Sequence, residues 1–407
     1  MADWKRICDN PVQDFIIKNE LADERQLVLQ HKTLFDLPTK SIAEQIAGRR
    51  KSKKKLPLWY ETKGIVYPPT LNLEQSSSQA TALFKATLLK TETGQENLID
   101  LTGGFGVDSF FFSKQFDSVK YVEPNAELLK LVQHNHAQLG ARNIIYIEAT
   151  AEEVVSQIKE AAVFFIDPAR RDANAKKNFK LSDCTPDITQ LQKQLFTQCE
   201  FVLVKASPLL DIQQGLRELP HTKTVIALSV ENEMKELLFL VQRDFTGTPE
   251  IIAIDLDSKG EIKSKFAFAQ AQEAAAQPAY SEPLHYLYEP GAAILKAGAF
   301  KLIAQHFSLH KLAPNTHLYT SNTHLKYFPG RTFRIEHINP TEKQLRQLLP
   351  DKRAHIAVRN YPLTARQLMK KLNLQEGGNK FVWGFSEIKK KYIALCSRLQ
   401  GAGKQID

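Results

Sequence analysis

The sequence predicts an α/β protein in which a doubly wound, mostly parallel sheet follows a helical N-terminal domain and precedes small α+β domains. Three observations lead there. Between residues 97 and 255, short apolar runs alternate with longer amphipathic stretches, the pattern of strands joined by crossover helices and covered on both faces. Residues 1–72 show apolar positions at helical spacing instead. The tail from residue 327 reads as β-α-β-α-β-β. At 43% hydrophobic and 24% charged residues, the 407-residue chain can bury a sizeable core, which excludes a disordered, collagen-like or disulfide-stapled protein.

Taken in order, Phe15, Ile16, Leu21, Leu27 and Leu29, then Ile42 and Ile46, mark helices of the N-terminal domain, residues 1–72. Pro68-Pro69 ends that pattern. Residues 73–278 hold the sheet domain. Its serines at 76–78 suit the cap of a helix running through 82–89. Strands are expected at 97–101, 119–122, 144–147, 163–166, 201–204 and 225–229, with helices near 107–115, 125–139, 151–159, 187–197 and 231–242. Residues 251–270 read as two antiparallel strands turned at Ser258-Lys259-Gly260, and 270–283 as an Ala/Gln/Pro-rich linker. A helix over 290–307, rich in small residues, dominates the third segment, 279–324. The last, 325–407, is a basic α+β module whose Trp383 and Phe385 are expected in its core.

The net charge of +9 is unevenly spread. Residues 1–72 carry +4, residues 73–323 carry −6 and residues 324–407 carry +11. An acidic middle between basic ends suits a polyanionic partner at the ends. The densest run is Arg49, Arg50, Lys51, Lys53, Lys54 and Lys55, followed by Trp59 and Tyr60. It reads as an RNA-contacting patch with aromatics for base stacking, or as a solvated face.

The apolar runs fall far short of the roughly 20 residues of a membrane span. The first ten residues hold no apolar signal core. Cys8, Cys184, Cys199 and Cys396 form no CxxC pair or ligand comb, so no metal is expected and a reducing cytoplasm fits best.

The informative segment is Leu98-Ile99-Asp100-Leu101-Thr102-Gly103-Gly104-Phe105-Gly106-Val107-Asp108. An apolar strand ends in a carboxylate and enters a glycine-rich turn, and a helix starts directly after. Glycines let a ligand approach the backbone, and the helix start offers unpaired N–H groups. Seventeen residues past Gly106 the next strand ends at Glu123-Pro124, where a carboxylate can accept both ribose hydroxyls of a nucleoside. A dinucleotide site would want a third glycine, but Ser109 stands there. S-adenosylmethionine fits better, because its ammonium group needs an anion such as Asp100 and it has no pyrophosphate.

The third strand leads to Thr150-Ala151, where adenine would lie. The fourth ends in Asp167-Pro168-Ala169-Arg170-Arg171. Ligands of open α/β sheets sit beyond the strand ends at the switch point, so Asp167 is expected beside the transferable methyl group, with Pro168 fixing the turn. A helix-capping Asp-Pro turn is the alternative, which position makes the weaker reading. Arg170 and Arg171 could grip a phosphate or carboxylate of the substrate, or pair as surface ions. Lys205 and Ser207, ending the fifth strand, should face the same crevice, with Lys205 oriented by Asp167 or Asp211. His134 and His136, two apart on one helix, are expected at the surface.

Together, the glycine loop at 100–106, the acid Glu123 and the Asp-Pro at 167–168 resemble class I S-adenosylmethionine-dependent methyltransferases, with their Rossmann-like sheet. More narrowly, residues 73–80, 167–171 and 204–211 are similar to a bacterial family whose methyltransferase core is followed by ferredoxin-like and THUMP-like domains. Residues 288–300 resemble the ferredoxin-like piece. Arg359-Asn360-Tyr361-Pro362 with Gly377-Gly378 resembles the THUMP-like one. The resemblance implies methyl transfer to RNA, because THUMP-type modules dock RNA. Two positions depart from the pattern. Thr102 replaces the glycine usual after Asp-Leu, and Thr150 stands where many members carry the acid that bonds adenine.

The expected chemistry is direct in-line methylation of a base nitrogen, with Asp167 orienting the target or accepting its proton. Carbon-5 methylation would want a cysteine near the fourth or fifth strand end, and Cys184 and Cys199 are not so placed. No Asp-Pro-Pro-aromatic motif is present, so base and atom stay open. A small-molecule or protein acceptor, and a non-catalytic RNA-binding protein on a degenerate fold, are the alternatives.

Overall fold

A computed structural model describes residues 4–157, 162–170 and 180–399. The chain forms two compact units. One holds the chain up to Val225 with Glu236–Gly247 and Leu256–Glu261; the other holds Ile226–Lys235, Thr248–Asp255 and the chain from Ile262 onward.

In the first unit, five parallel strands run in the order Ile144–Ile147, Ser118–Val122, Asn97–Asp100, Val163–Ile166 and Phe201–Ala206. Glu233–Gln242 then pairs antiparallel with Phe201–Ala206, from Leu237↔Ala206 to Gln242↔Phe201. The chain thus lays down three strands outward from Asn97–Asp100, then reverses and fills the other side. Asn97–Asp100 and Val163–Ile166 flank the reversal, which places Asp100 and Asp167 together at the crevice where such sheets take ligands. Every residue of Val163–Ile166 and Phe201–Ala206 is buried, as strands covered on both faces require.

The helices Val107–Phe112, Ala126–Gln138, Ala151–Gln157 and Ile188–Leu195 stand near the expected positions. The helix expected at 231–242 is instead the strand Glu233–Gln242. Leu237–Val241 is five apolar residues with no polar face, and all five are buried, which a one-faced helix cannot satisfy. Glu231 and Asn232 both take positive φ, 50° and 63°, the two-residue turn that joins strands in a hairpin. A helix the spacing did not suggest, Ile212–Glu218, is capped by Asp211, whose carboxylate accepts from Gln214 N at 2.9 Å.

The N-terminal segment is helical, chiefly Asn10–Lys18, Glu24–Gln30 and Thr39–Lys55, and belongs to the same compact unit as the sheet. Trp59 is fully buried, its ring 5.1 Å from Phe110 and 6.1 Å from Phe111. It is therefore core of the glycine-loop helix and not a stacking platform. Ser78 caps Gln79–Thr93, accepting from Thr81 N.

Glu250–Leu256 and Ile262–Ala269 are strands, lying in the second unit but for Leu256, and Gly260 in the turn between them, which belongs to the first unit, takes φ +92°. The supposed linker begins with the helix Gln270–Ala275. The helix expected over 290–307 is two, Ala292–Ala297 and Leu302–His306, because Gly298 at φ +85° ends the first in a left-handed cap. A seven-stranded sheet follows, ordered His310–Ala313, Thr316–Ser321, Tyr286–Pro290, Gly330–Ile338, Lys391–Leu399, Lys380–Ser386, His355–Arg359. Helices Glu342–Leu348 and Ala365–Lys371 each open with a Thr/Gln capping box. Trp383 and Phe385 are buried in the core of this module.

Candidate active site at the carboxyl edge of the sheet

Asp100 ends its strand almost fully buried, 1% exposed. Its Oδ1 accepts from Thr102 N at 3.0 Å and its Oδ2 from the Ser109 hydroxyl at 2.5 Å. Burial pushes this carboxyl up to about 7 despite those bonds, and the nearby Asp108 and Asp167 add to the shift.

The turn that follows is fixed from three sides. Gly103 N donates to Val122 O, and Gly106 N to Gly103 O, both at 2.8 Å. Tyr121 donates its hydroxyl to Gly104 O at 2.7 Å, and Gly104 N donates to Glu123 Oε2 at 3.1 Å. A Cβ on Gly103 would stand 2.1 Å from the Tyr121 ring, and one on Gly106 would stand 2.5 Å from Val132 and 2.7 Å from His136. These two glycines are required by packing. Gly104 differs: at φ +52°, its Cβ would meet only Thr102 O, at 3.8 Å. Space is thus open over Gly104, between two strand-end carboxylates.

Glu123 is half-buried. Asn125 N at 2.9 Å and Gly104 N hold one oxygen each. Burial raises this carboxyl, and the two N–H bonds oppose the shift. Each oxygen keeps a further lone pair, so both can still accept from ribose hydroxyls.

His136 is not at the surface: it is fully buried. Its Nε2 meets Gly106 O at 2.8 Å and its Nδ1 the Tyr146 hydroxyl at 3.1 Å. A carbonyl only accepts, so Nε2 carries the proton and Nδ1 accepts from Tyr146. Burial pushes the imidazole down to about 4, and it braces the glycine turn as a neutral donor. Its signal was present, since Leu128, Val132 and His136 stand four apart on one helical face. His134 is half-buried and meets Gly64 O at 2.8 Å.

Across the switch point, the backbone N–H of Asp167 donates to the Thr102 hydroxyl at 2.7 Å. The departure from glycine at 102 therefore ties the glycine loop to the Asp-Pro turn. Asp167 is one-third exposed, and its Oδ2 lies 2.5 Å from Lys205 Nζ. Burial alone would discharge Lys205, but Asp167, Glu236 and Asp108 around it hold the ammonium well above its ordinary value. Asp211 does not orient this lysine, since it caps a helix. Pro168 is buried beneath the turn.

Behind Lys205 lies an ion cluster that no motif announced. Lys85, fully buried, contacts Glu236, Asp108 and Ser77. Burial pushes Asp108 up, yet Lys85, Lys205 and the Ser77 hydroxyl outweigh that and hold it below its usual range.

The remaining candidates are less concentrated. Pro124 is exposed. The Thr150 hydroxyl is engaged with Glu153, donating to Oε2 at 3.0 Å and accepting from Glu153 N at 3.3 Å, so it closes a helix start and leaves the buried Ala151 beside it. Ser207 turns back to accept from Leu209 N at 3.2 Å. Arg170 is half-buried in the short strand Ala169–Arg170. Arg171 lies outside the described residues.

The basic run is largely spent on its own helix's neighbours. Arg49 is turned inward, stacked 4.2 Å over Tyr60 and donating to Tyr60 O. Arg50 pairs with Glu24, Lys51 with Glu74, Lys53 with Glu20, and Lys55 donates to the Leu73 and Glu74 carbonyls. Lys54 is exposed and has no partner among the described residues. Among the described residues no helix is long and apolar enough to cross a membrane, and no group of three or more His, Cys, Asp or Glu is placed to hold a metal ion.

Comparison with known proteins adds the following. A ferredoxin-like domain model matches residues 286–329 and a THUMP domain-like model matches residues 330–398. The chain is similar to a crystallised candidate methyltransferase from Porphyromonas gingivalis W83, at 29% identity and a TM-score of 0.83, over 97% of this chain and 99% of that one. Two more structures are similar to the chain at lower scores. One is a candidate methyltransferase from Streptococcus mutans in complex with SAH (15% identity, TM-score 0.30, 39% of this chain and 95% of that one). The other is an rRNA methylase from Streptococcus thermophilus (15%, 0.28, 40% and 94%). At those scores neither bears on cofactor or acceptor. No curated protein matches the chain.

Proposed function

We propose that this chain, a member of the family that joins a methyltransferase fold to ferredoxin-like and THUMP-like domains, uses S-adenosylmethionine to methylate a nitrogen of an RNA base. The observation that carries the reading is the pair of strand-end carboxylates, Asp100 and Glu123, on either side of a glycine turn whose Gly104 opens on free space. The residues fit the donor. Asp100 would take its ammonium group, Glu123 its ribose hydroxyls and the Ala151 backbone its adenine edge, with Gly103, Gly104 and Gly106 allowing the approach. When bound, S-adenosylmethionine supplies an electrophilic methyl group on a sulfonium.

The chain's own work is positioning. Thr102 fixes the backbone of Asp167, and Lys205 occupies Asp167 Oδ2. Among the described residues no donor reaches Oδ1, which is left to accept an N–H from the acceptor and turn that nitrogen's lone pair toward the methyl group. Pro168 fixes the turn, and Arg170 and Ser207, with Arg171 by its position in the sequence alone, are the proposed contacts to the rest of the acceptor. The RNA reading rests on the THUMP-like segment and on the +11 charge of residues 324–407. From the N-terminal run, Lys54 and the outer faces of Lys51 and Lys53 remain to contact phosphate. The cytoplasm is the proposed compartment.

The test is incubation of the purified protein with methyl-labelled S-adenosylmethionine and total RNA from cells lacking the gene, followed by nucleoside mass spectrometry. One labelled methylated nucleoside, absent from the deletion strain and present in its parent, is the expected result. Donor binding without transfer to any nucleoside would move the acceptor to another class.

A further inference from the structure

Two residues outside the strand-end motifs, Lys85 and Glu236, lie beside the Lys205–Asp167 pair. Lys85, on helix Gln79–Thr93, donates to both carboxylate oxygens of Glu236, at 3.1 and 2.9 Å, and to the Ser77 hydroxyl at 2.7 Å. It also stands 3.0 Å from Asp108 Oδ1. Glu236, 3% exposed, has its Oε2 3.9 Å from Lys205 Nζ, which is itself 2.5 Å from Asp167 Oδ2. Lys205 therefore stands between two carboxylates within 4 Å, with Asp108 farther off. Only one, Glu236, is already saturated by another ammonium. Buried ion clusters are expensive to assemble, and removing one member leaves an uncompensated charge that neighbours must answer.

We propose that Lys85 is a positioning residue for methyl transfer: by saturating Glu236 it keeps Lys205 on Asp167, so that Asp167 Oδ1 alone faces the acceptor. The inference rests on the reading of Asp167 as the group that meets the acceptor. It also narrows the acceptor. A carboxylate with one oxygen held by an ammonium and the other open selects a group that donates a hydrogen bond, an N–H or O–H, over a thiolate or a fully substituted nitrogen. Without Lys85, Glu236 is a bare buried anion within reach of Lys205 and draws it away. Asp167 is then free to rotate. Removing Glu236 as well takes away the competing pull and leaves Lys205 where it began.

The test is a cycle of Lys85→Met, Glu236→Gln and the double variant, read by crystallography of the ligand-free proteins and by kinetics with total RNA. In Lys85→Met, Lys205 Nζ should move from Asp167 to Glu236. Misplacement on that scale should lower kcat about 10- to 100-fold, with the dissociation constant for S-adenosylmethionine changed less than about threefold, since Asp100 and Glu123 are untouched. In the double variant Lys205 should be back on Asp167 and most of the lost kcat restored, a rescue that a merely structural loss would not give. A Lys205 still on Asp167 in Lys85→Met, or a double variant no better than the single, overturns the proposal. Should Lys85→Met fail to fold, the double variant carries the test, and Lys205 leaving Asp167 there overturns it equally. The crystallographic arm needs no acceptor, so a wild-type protein that never methylates RNA would defeat the functional reading while Lys205 still reports on Lys85.

Discussion

On the proposed reading, Asp100 links donor binding to the release of a proton. Burial holds its carboxyl at about 7, against an ordinary value of 3.8, and the donor's ammonium group requires it ionised. Below that value the protein must release a proton to bind. The ionised fraction is roughly one-tenth at about pH 6 and nine-tenths at about pH 8, so affinity should fall about tenfold, or ~1.4 kcal/mol, for each pH unit below 7 and level off above. Calorimetric titration with S-adenosylmethionine in two buffers of different ionisation enthalpy gives the affinity and the proton count. About one proton should leave at about pH 6 and almost none above about pH 8. The sign for stability is opposite. The folded state holds this proton more tightly than the unfolded chain, so without donor the contribution of Asp100 to stability falls as pH rises from about 4 to about 7. Asp100→Asn should abolish donor binding and remove that fall. Equal affinity across the range with no proton release would mean that Asp100 does not meet the ammonium group.

Three further substitutions probe the same cradle. Thr102→Val keeps the shape but strands the Asp167 N–H, so the protein should lose about 1–3 kcal/mol in denaturant titration, with kcat lowered more than donor affinity. Gly106→Ala meets a left-handed backbone and a Cβ 2.5 Å from Val132; the combined strain and overpacking should cost at least about 2 kcal/mol, and an unchanged unfolding midpoint would contradict it. Glu123→Gln replaces a charged acceptor of two N–H groups by an amide with one oxygen, and should weaken S-adenosylhomocysteine binding about 10- to 100-fold by the usual worth of charged hydrogen bonds, with the melting temperature little changed.

Much of this was legible because a strand end is written into a sequence as an apolar run that stops at a polar residue. Asp100, Glu123 and Asp167 are such stops, and the order of strands then brings Asp100 and Asp167 to one crevice. Lys85 and Glu236 were not legible. They are 151 residues apart, and nothing local distinguishes a lysine inside an amphipathic helix from one at its surface. The basic run misled in the opposite sense: charge density is visible in a sequence, but the acids that neutralise it, Glu20, Glu24 and Glu74, come from other elements. The strand Glu233–Gln242 was read as a helix because its charged start suits either state, and only burial of all five residues of its apolar run decides between them.

The carboxylates of Asp100 and Glu123 and the turn between them are proposed to hold a sulfonium nucleoside. A crystal of the protein with S-adenosylhomocysteine tests it most directly. The ribose hydroxyls should lie on Glu123, the amino group on the Asp100 side and the thioether sulfur toward Asp167, with the ligand passing over Gly104. A ligand bound elsewhere on the chain, or none in that cleft at saturating concentration, would contradict it.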